Sequence, residues 1–108
     1  MSVAFRFELE DGTEMPDGIG PTAQGQPPLP FFLANHGNGA SYNTQVATTT
    51  GQLELSRYGP EGPYFSKVTD LGTLDTGERV AMWCRVTARA ERAPHSGRDT
   101  MSVTGWST

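Results

Sequence analysis

The sequence predicts an all-β domain, built as a Greek-key β-sandwich of about seven strands. Three observations support this prediction. Apolar and polar residues alternate in short stretches, turn-forming residues separate these stretches at regular spacing, and apolar residues nowhere keep the spacing of a helix for long. Only 35% of the residues are hydrophobic. So few hydrophobic residues are enough for two packed sheets, because only every second strand position has to be apolar.

The N-terminal part of the chain predicts one strand followed by a long loop. Apolar side chains alternate from Val3 to Leu9, and Asp11-Gly12 marks a turn. Nine of the nineteen residues from 12 to 30 are glycine or proline, which disfavours both strand and helix. We therefore predict a Gly/Pro-rich loop or arm over residues 10–30. It is either a flexible connector or an extended arm that becomes ordered against a partner.

The middle of the chain predicts four further strands. The second runs from Leu29 to Asn35 and the third from Ser41 to Thr48, with a Gly-rich turn at residues 36–39 between them. Leu53 and Leu55 mark the fourth strand. After a turn cluster at residues 58–63, the fifth strand is predicted from Tyr64 to Thr69, and residues 71–78 are predicted to form a connection.

The clearest strand signal is the sixth, from Arg79 to Ala90, which shows strict period-2 alternation. One parity is mostly apolar and is predicted to face the core: Val80, Met82, Cys84, Val86 and Ala88. The other parity carries three arginines and a tryptophan toward solvent or a partner: Arg79, Ala81, Trp83, Arg85, Thr87 and Arg89. A last strand is predicted from Thr100 to Trp106.

The sequence shows no arrangement of residues that predicts catalysis or a cofactor. Cys84 is the only cysteine, which excludes an internal disulfide, and its parity predicts a buried, unreactive thiol. His36 and His95 lie in separate turns, so no set of metal ligands converges. The N-terminal carboxylates lack the spacing of a calcium loop, and no nucleophile motif or phosphate-binding motif is present.

The charge is uneven along the chain, although the formal net charge is −4. Acidic residues dominate the first twenty positions, whereas five arginines and one glutamate lie between residues 79 and 98. This polarity either helps neighbouring copies to meet head to tail or is ordinary solvated surface charge. The net acidity argues against general nucleic-acid binding. No apolar stretch is long enough for a membrane helix, so no membrane partner is expected.

Two stretches resemble known β-sandwich domains. Residues 31–51, FFLANHGNGASYNTQVATTTG, resemble a hairpin of the bacterial and archaeal Ig-like repeat domains of the CARDB type. Residues 70–90, DLGTLDTGERVAMWCRVTARA, resemble the later connection and long strand of the same domains. The resemblance implies an Ig-like Greek-key sandwich that serves as a spacer, an adhesion module or a virion surface module, with no shared active site. An antibody-type disulfide frame is excluded because Cys84 stands alone beside Trp83.

Exposed Trp, Tyr and Arg side chains are the best candidates for a binding surface, because they are enriched at binding hot spots. The candidate partner-binding residues are Trp83, Arg79, Arg85, Arg89, Trp106 and Tyr58. An aromatic platform is predicted either at Trp83 or at Trp106 together with Tyr58. Alternatively, Trp83 is covered by the arm at residues 10–30 or packs beneath Arg85.

We therefore expect residues 1–108 to form a single domain that is not an enzyme. The leading hypothesis is a structural protein of a tailed-phage virion, a capsid decoration or tail accessory module that docks on other subunits, capsid or tail proteins among them, or on copies of itself. The alternatives are a glycan- or cell-surface-binding adhesion module and a spacer domain of a larger protein. The N-terminus lacks the features of a signal peptide. The expected location is therefore the virion, or the cytoplasm of the producing cell before assembly.

Overall fold

The computed structural model describes residues 2–15, 27–49, 53–86 and 101–107. Within these ranges the protein is all-β, with seven strands in two antiparallel sheets and no helix. This architecture is consistent with the predicted β-sandwich. In the same ranges, no helix has the length and hydropathy needed to cross a membrane.

The strands follow the predicted order along the chain, and those over Leu29–Asn35 and Ser41–Thr48 have the predicted bounds. The seven strands are β1 (Phe5–Glu8), β2 (Leu29–Asn35), β3 (Ser41–Thr48), β4 (Leu53–Ser56), β5 (Val68–Leu74), β6 (Arg79–Val86) and β7 (Met101–Trp106). The first strand is shorter than predicted. The predicted sixth strand is confirmed from Arg79 to Val86, and its last residues, including Ala88 and Arg89, lie outside the described ranges.

The seven strands divide into a four-stranded sheet with the order β1-β2-β6-β4 and a three-stranded sheet with the order β5-β3-β7. In the four-stranded sheet, apolar residues of one parity line up across neighbouring strands. Phe31 pairs with Met82, and Leu55 pairs with Cys84. This parity faces the core, as the alternation in β6 predicted.

The core lies between the two sheets and draws on both. Its buried members are Met15, Phe31, Leu33, Val46, Leu53, Leu55, Leu71, Leu74, Met82, Cys84, Val86 and Met101. Met15 belongs to the segment that we predicted to be a loop or arm. Its backbone N–H donates a hydrogen bond of 2.8 Å to the Phe7 carbonyl, so the start of that segment folds back along β1.

The predicted fifth strand, Tyr64 to Thr69, and the predicted connection at residues 71–78 were wrong. The strand β5 runs instead from Val68 to Leu74. Gly72 lies within it at a φ of +69°, next to register shifts in the β3–β5 pairing. A bulge of this kind changes the parity that faces the core. Leu71 and Leu74 are therefore both buried although they are three residues apart.

The side chain of Asn35, which is buried at the end of β2, forms hydrogen bonds with the following loop, the end of β5 and the N-terminal segment. Its side-chain amide donates hydrogen bonds to the carbonyls of Gly39 (2.8 Å) and Leu74 (3.0 Å). Its side-chain oxygen accepts from the backbone N–H groups of Gly37 (2.9 Å) and Ala4 (3.4 Å). The side chain is fully buried, and these four bonds use both of its N–H donors and both lone pairs of its oxygen.

The loop that follows Asn35 packs tightly on the N-terminal segment at Gly37. A Cβ atom at this position would lie 2.7 Å from the backbone nitrogen of Ala4 and 2.8 Å from the Cα atom of Val3. Both distances are shorter than normal van der Waals contacts, and both atoms belong to the backbone. Glycine is required here because of this close approach.

We predict that Asn35→Ala lowers the free energy of unfolding by about 3 kcal/mol, because it leaves the buried carbonyls of Gly39 and Leu74 without their hydrogen-bond donors. Urea unfolding followed by tryptophan fluorescence measures the change. Asn38→Ala is the matched control. Its side-chain oxygen accepts an exposed hydrogen bond from the Ser2 backbone N–H, and we expect a loss below about 1 kcal/mol. Equal losses for the two variants would contradict this account of Asn35.

Candidate functional site

The most exposed aromatic surface lies between β4 and β5. Tyr58 is 70% exposed and Tyr64 is 62% exposed. Their ring centroids are 5.5 Å apart and the rings meet edge to face at 63°. Between and beside them is a shallow cavity of about 150 Å³, which we call the tyrosine slot. It is lined by Arg57, Tyr58, Tyr64, Ser66, Val68, Thr69 and Asp70.

Local sequence explains why the chain holds both tyrosines outward. The segment between them is Gly59-Pro60-Glu61-Gly62-Pro63, and both glycines have positive φ values (125° and 93°) that other residues rarely adopt. The Tyr58 backbone N–H donates to the Ser56 hydroxyl at 3.1 Å. Paired backbone hydrogen bonds of 2.7 and 2.8 Å join Leu55 to Ser66. The turn is therefore closed at its base while its aromatic side chains remain in solvent.

Three polar side chains of the tyrosine slot have hydrogen-bond partners within the protein. The Arg57 guanidinium donates a hydrogen bond of 3.0 Å to the Asp70 carbonyl and lies 5.8 Å from the centre of the Tyr58 ring. The Asp70 carboxylate accepts a hydrogen bond of 2.6 Å from the Gln45 side chain. The Ser66 hydroxyl donates to the Val68 carbonyl at 2.6 Å. The slot thus combines two exposed aromatic rings with side chains that are hydrogen bonded within the protein.

A second aromatic surface lies at the other end of the three-stranded sheet. Trp106, which is 52% exposed, packs on Tyr42 with ring centroids 4.7 Å apart. Tyr42 is near the start of β3, whereas Val68 of the tyrosine slot pairs with Ala47 near its end. Trp106 and Tyr58 thus each have a different aromatic neighbour, Tyr42 and Tyr64 respectively. The predicted grouping of Trp106 with Tyr58 in one binding platform stays a prediction.

Trp83 is half-buried on the outer face of the four-stranded sheet. It lies opposite Pro30 of β2 on one side and Ser56 of β4 on the other. The indole is therefore flanked by two neighbouring strands and is less exposed than Trp106 or the two tyrosines of the slot. The expected contact between Trp83 and a partner stays a prediction.

The arginines beside Trp83 are engaged in ion pairs and ring contacts with the protein itself. Arg79 lies 3.0 Å from the Glu8 carboxylate and 4.1 Å from the centre of the Phe32 ring. Arg85 lies 3.2 Å from Glu54 and 4.0 Å from the centre of the Phe65 ring. Much of the positive charge that the sequence placed on this face is therefore neutralised within the domain. Arg89, the third arginine of the predicted face, lies outside the described residues.

Glu8 is the centre of the charge cluster on this face. Only 3% of its surface is exposed, although it lies on the outer face of the sheet. His36 Nε2 is 2.7 Å from one carboxylate oxygen, and Arg6 Nε is 3.3 Å from the same oxygen. Desolvation raises the pKa of Glu8. Hydrogen bonds from His36 and Arg79, with the charges of His36 and Arg6, outweigh it and hold the pKa below its ordinary value.

We predict that Glu8→Gln changes how stability depends on pH. Because the pKa of Glu8 is lowered in the folded state, its contribution is fully present above the unfolded value of about 4.5 and is lost as the pH falls through the folded value. The variant is expected to be about 1–2 kcal/mol less stable at pH 7. The difference should shrink steadily below pH 5.

Urea unfolding of both proteins between pH 2.5 and pH 7 checks this prediction. Glu61→Gln is the control, since Glu61 is exposed and lies in the turn between β4 and β5, away from the cluster. A difference between Glu8→Gln and the wild type that stays constant across this range would contradict the assigned role of the carboxylate.

Cys84 is a free, fully buried thiol in β6, as predicted. Burial raises its pKa to about 12, which leaves almost no reactive thiolate at neutral pH. Among the described residues, no group of three or more His, Cys, Asp or Glu side chains is arranged to hold a metal ion.

Comparison with known proteins does not assign this chain to a family. The chain matches no protein-family model, no curated protein and no solved structure. The resemblance to CARDB-type domains thus stays a prediction. Tyr64, which was predicted to start a strand, was not among the candidate binding residues. Its position directly after the Gly-Pro cluster was the signal that could have identified it.

Proposed function

We propose that this protein is a non-enzymatic structural module that docks on other protein subunits through the tyrosine slot. The observation that carries the proposal is the pair of exposed tyrosines, Tyr58 and Tyr64, held outward on a Gly-Pro turn beside Arg57. Tyrosine and arginine are enriched among residues that dominate binding energy. Aromatic rings held by a constrained turn also lose little conformational entropy on binding.

The proposal also covers the detailed topology of the fold and the assembly in which the protein works. The two antiparallel sheets are consistent with a sandwich, and we propose that it is an Ig-like Greek-key sandwich. We further propose that the partners are capsid or tail subunits of a tailed-phage virion. This setting rests on the resemblance of residues 31–51 and 70–90 to Ig-like repeat domains that serve, among other roles, as virion surface modules.

Cosedimentation tests this proposal. Purified protein is incubated with virions of a tailed phage that carries the gene, and the pelleted fraction is measured over a range of protein concentrations. Wild type is expected to pellet in a saturable manner. A Tyr58→Ala/Tyr64→Ala double variant is expected to need at least about tenfold more protein for half-saturation, because each ring is a candidate hot spot.

Trp106→Ala serves as the matched control for this experiment. Trp106 is an exposed aromatic residue outside the slot. We expect its loss to leave pelleting unchanged. Absence of saturable pelleting by the wild type, or pelleting that the double variant leaves unchanged, would overturn the proposal.

A second candidate function, glycan binding, is favoured by one specific observation. The Trp106 ring is half exposed, is backed by Tyr42, and lies on an edge strand of the described three-stranded sheet. Exposed aromatic faces stack on the apolar faces of sugar rings. If the domain is an adhesion module, a glycan array should give a signal that Trp106→Ala removes and that Tyr58→Ala leaves intact. A blank array, or a signal that survives Trp106→Ala, would eliminate this candidate.

A further inference from the structure

We infer that the outer edge of β7 pairs with the same edge of a second copy of this chain, so that two three-stranded sheets join into one antiparallel sheet. This inference goes beyond the proposed docking function and concerns a different surface. The sheet order is β5-β3-β7, so the tyrosine slot beside β5 stays open in such a dimer. The observation that carries the inference is that, among the edge strands within the described ranges, β7 alone has an outer edge without a partner, a bulge or a charge.

The two edges of the four-stranded sheet are covered by the chain itself. Along β1, residues 13–15 fold back, and the Met15 N–H donates to the Phe7 carbonyl at 2.8 Å. Along β4, paired backbone hydrogen bonds of 2.7 and 2.8 Å join Leu55 to Ser66. Both strands also carry charged side chains, which discourage the approach of another strand. Neither edge therefore offers a free, uncharged row of backbone groups.

The β5 edge of the three-stranded sheet is capped by side chains. The Arg57 guanidinium donates to the Asp70 carbonyl at 3.0 Å, and the Ser66 hydroxyl donates to the Val68 carbonyl at 2.6 Å. Asp70 adds a charge to this edge, and the bulge at Gly72 interrupts its regular pairing. Charges and bulges are devices that keep a sheet edge from pairing with another chain.

The outer edge of β7 has none of these protections within the described residues. The strand itself is regular, since the extra residue in its pairing lies on β3. Thr48 of β3 donates its N–H to the Lys67 carbonyl on the side of β5. The backbone groups of the neighbouring Ala47 therefore point the other way, toward Ser102 of β7. By alternation, the N–H and C=O groups that point away from β3 are those of residues 101, 103 and 105.

The residues of β7 suit a second copy of the same strand. No side chain of β7 or of its neighbour β3 is charged, so two copies meet here without like charges facing each other. When Val103 lies opposite Val103 of the second copy, the three outward residues of each strand all pair with one another. The same register places Ser102 of each chain opposite Thr104 of the other. Cross-strand pairs of serine with threonine stabilise a sheet, and the two-fold axis provides this pair twice.

Sedimentation velocity of the full chain tests the inference at protein concentrations from about 10 µM to about 1 mM. We expect a reversible monomer–dimer equilibrium for the wild type. Thr104→Lys should weaken dimerisation at least about tenfold, because it removes both Ser–Thr pairs and brings two lysines close together. Thr73→Lys is the matched control, since Thr73 is an exposed threonine on β5, at the opposite edge of the sheet. We expect it to leave dimerisation unchanged, and urea unfolding shows whether both variants fold.

Disulfide crosslinking tests the register. Residues opposed in this way have Cα atoms about 4.5 Å apart, which is within the range of a disulfide. Cys84 does not compete, because it is buried and its thiol pKa is raised to about 12. A mixture of Ser102→Cys and Thr104→Cys proteins should form mainly the mixed dimer, which its intact mass identifies. Each variant alone should crosslink far less, because identical positions are then only diagonal neighbours.

A wild type that stays monomeric up to about 1 mM, or a dimer that Thr104→Lys leaves intact, would overturn the inference. So would equal losses for the two lysine variants, or homodimeric disulfides that form as readily as the mixed one. The Tyr58→Ala/Tyr64→Ala double variant separates this inference from the proposed docking function. It should dimerise like the wild type although it binds virions more weakly. If the wild type dimerises but does not pellet with virions, the docking function is wrong and the β7 pairing stands.

Discussion

The buried amide of Asn35 is the interaction on which the rest of the structure depends. Apolar contacts between two sheets are strong but have little directionality, so they do not by themselves fix how the sheets are aligned. Asn35 adds directional bonds at the end of β2. Its side chain reaches the end of β5 at Leu74, the following loop at Gly37 and Gly39, and the N-terminal segment at Ala4. In a buried setting these bonds are costly to break, because no water replaces them.

Next to Asn35, charged side chains on the outer face of the four-stranded sheet pair with one another. The Gly37 contact holds the N-terminal segment against the loop. This brings Glu8 of the adjacent strand β1 beside His36 and Arg79. Ion pairs and ring contacts then occupy the arginines of β6. Among the described residues, the large apolar side chains left in solvent are Tyr58, Tyr64, Val68 and Trp106. The binding surfaces that we propose therefore consist of exposed side chains that take no part in the ion pairs of the four-stranded sheet.

Sequence pattern was sufficient where the structure follows regular periodicity. The bounds of β2 and β3 and the inner parity of β6 were predicted correctly, because strict alternation and a Gly-rich turn specify them. The pattern failed at β5, where the bulge at Gly72 interrupts the alternation and resembles a turn. The partners of the arginines had no local signal either, since Glu8 and Arg79 are 71 residues apart. The Tyr58–Tyr64 pair depends on the closure of a turn, which residue types indicate only in part.

The charge balance of the tyrosine slot has a consequence for the docking that we propose. The slot is lined by one arginine and one aspartate, so docking there would gain little from long-range electrostatic attraction. Contacts between aromatic rings and apolar groups are not screened by salt in the way that exposed ion pairs are. Attachment through this slot would therefore depend little on the ionic strength of the surroundings.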